Sequence, residues 1–214
     1  MVKTITFIKR RAGLDRPEFL AYWRREHAPL VSRLPGLRRQ CSNVALAIPG
    51  REPRFDLVAE AWWDDREALT VAQASAAGKA VADSLARIAD PAQALSLIAA
   101  ERVIIPPPPA GSFVKTFVTL YRRPDLSFEE FDRYWAGPHG KLASGLPGAR
   151  GYVQCPALQI PGQTQALDGC PIVWFDSLEA NRVAVRSPLW PDIRADELNF
   201  LDQARMVGLA TEEL

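Results

Sequence analysis

The chain carries one pattern twice, 112 positions apart, and this duplication limits its fold more than any other feature. Val2-Lys3-Thr4 returns as Val114-Lys115-Thr116, and Tyr22-Trp23 with His27 returns as Tyr134-Trp135 with His139. Leu34-Pro35-Gly36 and Arg38 return as Leu146-Pro147-Gly148 and Arg150. At this offset roughly 17 of the first 42 pairs are identical without a gap, where chance gives about three. Asp56 and Asp168, Trp62 and Trp174, Asp90 and Asp202, and Glu101 and Glu213 keep the same register, so the repeat covers almost the whole chain. A 214-residue sequence is therefore read as two modules, each large enough for a core of its own.

Within each module the pattern is strand, helix, strand, strand, helix, strand. Residues 2–9 are rich in β-branched side chains and predict a strand. Asp15-Arg16-Pro17-Glu18 has capping-box spacing with proline in the first turn, so a helix follows to about Leu34. Phe19, Trp23, His27 and Leu30 form its apolar stripe, and Pro35-Gly36 stops it. Residues 38–48 and Phe55 to Trp63 predict two strands; Asp64-Asp65 opens a second helix to about Ala89, and Gln93 to Ile105 closes the module. Four prolines, Pro106 to Pro109, then form a short stiff spacer. The expected domains are residues 1–105 and 113–214, with residues 106–112 as linker.

This element order builds a four-stranded antiparallel sheet with both helices on one face, the ferredoxin-like arrangement. The bare face of such a sheet needs a cover. Two modules on one tether supply it for each other, which predicts an α+β fold whose sheets pack into a pseudo-dimeric eight-stranded α/β barrel. Exposed barrel edges make a homodimer of fused barrels plausible.

Tyr-Trp-x-x-x-His-x-x-Leu, then Leu-Pro-Gly-x-Arg, then Asp-x-x-x-x-x-Trp-aromatic-Asp resembles the EthD family of the dimeric α/β barrel superfamily, here as a tandem, fused pair. The resemblance spans both halves. It implies an open barrel that binds a small hydrophobic, often aromatic molecule. Relatives in the superfamily include cofactor-free oxygenases, isomerases, dehydratases and decarboxylases, and some bind haem.

Composition removes several other classes. A formal charge of +1 gives no electrostatic footprint for nucleic acid. No stretch approaches the ~20 apolar residues of a membrane span, and the N-terminus shows no signal-peptide pattern, so a reducing cytoplasm is the default expectation. Cys41, Cys155 and Cys170 have neither disulfide-framework nor zinc-site spacing, and no phosphate loop, dinucleotide fingerprint or H-E-x-x-H is present. No cofactor and no metal are expected.

His27 and His139 are the only histidines and the leading candidates for catalysis. An imidazole near neutrality can take a proton and return it, which suits enolisation, dehydration or decarboxylation. The alternative is an inert imidazole packed on Trp23 or Trp135. Alternation along the third strand puts Asp56, Glu60 and Trp62 on one face and Phe55, Leu57 and Trp63 on the other. Glu60 becomes Ile172 in the second half, so the two pockets differ. The first is expected to be the working one, with His27 as acid or base, Glu60 as its partner and Trp62 as a wall. Trp23, Tyr22 and Asp56, with Trp135, Trp174, Asp168 and Tyr121 in the second half, are the remaining candidate ligand contacts. Three functions stay open: a cofactor-independent enzyme, a non-catalytic binding or accessory protein, and a haem protein with a histidine as axial ligand.

Overall fold

The computed structural model describes residues 1–47, 50, 52–109 and 111–214. Ile48, at the end of one expected strand, and Ala110, in the expected linker, lie outside the described residues. Two compact units emerge, Met1–Ile98 with the terminal Leu214, and Ala99–Glu213.

In the first unit β1 (Val2–Ile8) and β2 (Leu37–Ala45) both run antiparallel to β3 (Leu57–Trp63), and β4 (Leu95–Ala99) lies beside β1. The strand order β4-β1-β3-β2 is that of a ferredoxin-like sheet. Its first helix opens as α1 (Arg16–Tyr22), where the Asp15 carboxylate accepts the Glu18 N–H and Pro17 fills the first turn. After a π-helical turn it resumes as α2 (Ala28–Val31). The second helix is broken into α3 (Arg66–Ala74) and α4 (Ala76–Ile88). Ser75 breaks it by adopting an extended backbone and capping α4 through the Gly78 N–H. At Gly78 a side chain would collide with the carbonyl oxygens of Ala72 and Gln73, so the close helix junction requires glycine. Phe19, Trp23, Leu57 and Ile88 fill the helix–sheet core. The face of β3 carrying Leu57, Ala59, Ala61 and Trp63 meets the helices, as alternation predicts.

The second unit repeats this plan with β6 (Val114–Val118), α5 (Phe128–Tyr134), a π-helical turn, α6 (Gly140–Ala143), β7 (Gly151–Pro156), β8 (Gly169–Phe175), α7 (Leu178–Ala184), α8 (Trp190–Glu197) and β9 (Gly208–Glu213). Ser127 and Glu130 form the complete capping box at its first helix. The sheet order is β9-β6-β8-β7-β5. The fifth strand, β5 (Arg102–Ile105), departs from the sequence expectation. The stretch from Gln93 to Ile105 is two strands rather than one, and its latter part pairs antiparallel with β7 of the second unit. The prolines that follow pack on Gly151, whose missing side chain leaves room for Pro107 and Pro108. Apolar strand-forming residues stand on both sides of residue 100, and no proline or glycine separates them, so local sequence could not place this boundary.

Gly169 has a tighter role. A methyl there would sit 2.5 Å from the Trp135 ring. Gly169→Ala is therefore expected to cost about 1–3 kcal/mol through overpacking. Chemical denaturation checks this, and an unchanged midpoint would mean that the indole has room to move.

Candidate functional site

Both first helices widen into a π turn that ends on the histidine, Trp23–His27 and Trp135–His139. In the first, the Ala28 N–H reaches back five residues to the Trp23 carbonyl. In the second, the Gly140 N–H goes to the Gly137 carbonyl instead, and the Trp135 carbonyl accepts the side-chain amide of Gln154 at 2.8 Å. Such turns alter the side-chain phase of a helix and recur at functional sites. Here each one holds an imidazole against the second helix of its own unit.

The two imidazoles meet different partners at equivalent positions. His27 Nδ1 is 3.2 Å from Ser84 Oγ, and the Ser84 hydroxyl donates to the Tyr22 oxygen at 3.3 Å. With that proton committed, His27 must donate from Nδ1. His139 Nδ1 is 2.8 Å from Asp196 Oδ2, while Tyr134 donates to Oδ1 at 2.7 Å. Asn199 donates to the Tyr134 oxygen at 2.9 Å and completes the cluster. Each histidine and its partner are 57 positions apart, so Ser84 and Asp196 are repeat counterparts. The second copy has gained a carboxylate where the first has a hydroxyl.

Electrostatics follows from these contacts. Burial pushes the His27 pKa down to about 4. Burial also lowers His139, with Asp196 pulling the other way and losing. Burial raises Asp196, but hydrogen bonds from Tyr134 and His139 outweigh it and hold the carboxyl below its ordinary value. At neutral pH the pair is a carboxylate facing a neutral imidazole. The proton sits on Nδ1, and the Nε2 lone pair has no protein partner among the described residues.

That lone pair belongs to a residue lining a cavity of about 100 Å³ between the helices and the sheet of the second unit, open along part of its surface. Trp135, Val118, Val173 and Ile193 supply apolar wall, and Tyr152 and Glu197 bring polar groups. Burial lifts the Glu197 pKa to about 7, although Arg194 and a 3.0 Å hydrogen bond from Gln203 draw it down. The first unit has Leu85 at the position equivalent to Glu197. A cavity holding an uncharged base and a carboxyl poised near neutrality can pass protons in either direction.

Several sequence expectations change on this geometry. Glu60 does not partner His27. It lies on the opposite face of β3 from the helix layer, paired with Lys3 Nζ at 2.6 Å and accepting from Asn43 at 3.0 Å. Period-two alternation makes this unavoidable, because Leu57 and Ala59 on the same strand already face the helices. Trp62 and Trp174 share the face away from the helices, beneath Lys3 at 4.4 Å and Lys115 at 5.9 Å. Asp56 and Asp168 are pins, not cavity groups. Each accepts both the backbone N–H and the guanidinium of an arginine shortly beyond the first strand of its unit, Arg10 or Arg122. Tyr121 lies under the Arg205 guanidinium at 3.9 Å. Trp23 is buried in the first core with its indole N–H on Ser42 at 2.9 Å, and Tyr22 joins the Ser84 cluster. Of the candidates, only His139 and Trp135 line the cavity.

Sequence reasoning missed Asp196, Glu197, Tyr152 and Gln154. The usable signal lay in the positions where the repeat differs: Ser84 to Asp196, Leu85 to Glu197, Gln40 to Tyr152 and Ser42 to Gln154. Among the described residues no group of three His, Cys, Asp or Glu is placed to hold a metal ion, and no helix is long and apolar enough to cross a membrane.

Fold and repeat define a tandem α+β protein of ferredoxin-like modules. The EthD domain model matches it twice, over residues 11–92 and 123–204, and the chain belongs to the EthD family. No curated protein matches the sequence. Among solved structures, an anthrone oxidase-like protein superposes with a TM-score of 0.72 at 12% identity, covering 100% of this chain and 91% of its own. A candidate monooxygenase from Lactobacillus acidophilus gives 0.59 at 14% identity, covering 99% and 93%. One from Fusobacterium nucleatum gives 0.61 at 8%, covering 100% and 92%. At these identities the likeness is one of fold.

Proposed function

We propose that the second unit is an enzyme site for proton transfer on a small, largely apolar molecule bearing a carbonyl or phenolic oxygen. The observation that carries this reading is the His139–Asp196 pair, whose unpartnered Nε2 belongs to a residue lining the cavity. In the proposed step Nε2 takes the proton from carbon adjacent to the carbonyl, and the released electron pair moves onto the oxygen. Where a carbon–carbon double bond is conjugated to the enolate, return of a proton to its far carbon, from His139 or from the carboxyl of Glu197, shifts that double bond and completes an isomerisation with no net loss of atoms. Asp196 fixes the tautomer and stabilises the imidazolium that forms. Trp135 and the aliphatic wall exclude water. The room beside His139 is of the order that accepts a benzene-sized guest, so the reacting end of the substrate is compact. The neighbours named as monooxygenases and anthrone oxidase-like proteins support an enzymatic reading of this fold, and carbanion formation is also a first step by which an electron-rich aromatic can meet oxygen.

The test is hydrogen–deuterium exchange at the α-carbon of cyclopentanone in heavy water, followed by proton NMR. Wild-type protein is expected to exceed free imidazole at matched concentration, and His139→Ala is expected to lose that excess. Exchange no faster than imidazole, or exchange indifferent to His139, overturns the proposal.

A further inference from the structure

We infer that Tyr152 presents a fixed hydrogen-bond donor to the cavity, so that the second unit selects ligands carrying an acceptor oxygen. The inference rests on the proposed site, but its test reads binding and not turnover.

Tyr152 is 3% exposed and lines the cavity. Its oxygen accepts Gln154 Nε2–H at 2.9 Å. A phenolic oxygen has two lone pairs and one proton. One lone pair is thus held by an amide N–H, which cannot accept the phenolic proton in return. The Tyr152 proton finds no acceptor among the described residues, and the residue that carries it lines the cavity. Leaving a buried donor unpaired is costly, so a ligand that offers an oxygen there recovers a lost hydrogen bond.

The orientation of Gln154 is itself determined. Its Oε1 accepts Arg102 Nη1 at 2.9 Å, while the second arm of Arg102 grips both Asp132 oxygens at 2.9 and 2.8 Å. An arginine has no acceptor, so the Gln154 amide cannot turn round without breaking this bond. Nε2 must then face Tyr152 and the Trp135 carbonyl, giving one hydrogen to each. Gly140 leaves the space through which the amide reaches that carbonyl, since a methyl there would press on Gln154 Nε2 at 3.1 Å. The first unit has Gln40, Ser42 and Ala28 at the equivalent positions, so this relay exists only in the copy that also holds the carboxylate. Arg102 and Gln154 are positioning residues; Tyr152 is the group that touches ligand. During the proposed proton abstraction the electron pair arrives on the carbonyl oxygen, and a donor fixed beforehand at that oxygen favours the charged state over the neutral one.

Binding of cyclopentanone and of its hydrocarbon counterpart cyclopentane is to be measured by ligand-observed NMR on wild type, Tyr152→Phe, Gln154→Leu and His139→Ala. The ketone is expected to bind about 3- to 10-fold more weakly to Tyr152→Phe, with the hydrocarbon unchanged. The infrared carbonyl stretch of the bound ketone should lie below its value in an apolar solvent for wild type and His139→Ala, and return towards that value in Tyr152→Phe. Gln154→Leu frees the phenol to turn to the Trp135 carbonyl and should reproduce part of that return. Unchanged hydrocarbon binding confirms that the variants fold. Equal ketone affinity and an unmoved stretch in Tyr152→Phe overturn the inference; loss of exchange in His139→Ala with the stretch retained separates it from the proposed chemistry.

Discussion

Asp196→Asn is expected to lower the rate of α-proton exchange about 10²- to 10⁴-fold while leaving the fold and ketone affinity nearly intact. The reason is tautomer control. Asp196 now accepts the Nδ1 proton of His139 at 2.8 Å and the Tyr134 hydroxyl at 2.7 Å. An asparagine keeps one accepting oxygen, which Tyr134 can hold, and turns an amide N–H towards Nδ1. The imidazole must then accept there and carry its proton on Nε2, where the lone pair is needed. The base is present, correctly placed, and in the wrong state. Ser84 already shows the milder version of this change, because a hydroxyl can orient His27 but offers no charge to stabilise an imidazolium. His27→Ala should therefore leave exchange unaffected. A full rate in Asp196→Asn, measured beside His139→Ala and His27→Ala under the same conditions, would remove the dyad from the mechanism.

How far the sequence reaches into this site depends on which kind of contact is asked for. Repetition and period revealed the modules, the cap at Asp15, and the helix-facing side of β3, because each is a local pattern with one structural solution. The His27–Glu60 pairing failed for a reason also local: strand alternation had already assigned Glu60 to the face away from the helices. The inference followed the charge and ignored the face. Asp196 was out of reach, because its meeting with His139 depends on the phase of α8 and on a π turn that shifts the imidazole. Arg102 was further still. Its guanidinium serves Gln154 only because β5 pairs with β7, and nothing in residues 99–105 distinguishes a strand of one sheet from a strand of another. Conserved positions in a repeat report what the fold needs; here the diverged ones, 84/196 and 85/197, report what one copy does in addition.

Acidification should destabilise the first unit by about 3 kcal/mol between pH 6.5 and 4, a loss that His27→Gln abolishes. The native His27 pKa of about 4 lies below the ordinary histidine value of 6.5. Within that window the unfolded chain binds a proton that the native state refuses, so unfolding gains as pH falls. The stabilising contribution is complete above 6.5 and gone below about 4. Its cause is burial: the ring lies 4.4 Å from Trp23, and its Nδ1 proton is committed to a neutral hydroxyl, with no carboxylate to welcome a charge. The second unit should respond differently. His139 is lowered as well, but Glu197, raised to about 7, binds its proton in the native state before the unfolded chain does and so gains stability as pH falls from 7 towards 4.5. The two opposing slopes make the second unit the more acid-tolerant, and Glu197→Gln should remove its compensating gain. Amide hydrogen exchange resolved along the chain at pH 7 and pH 4 reads both units at once, after correction for the intrinsic exchange rate. Loss of protection in α1 and α4 at pH 4, restored by His27→Gln, is the expected outcome; equal protection in wild type and variant at both pH values would mean that the imidazole reaches water and that burial does not set its titration.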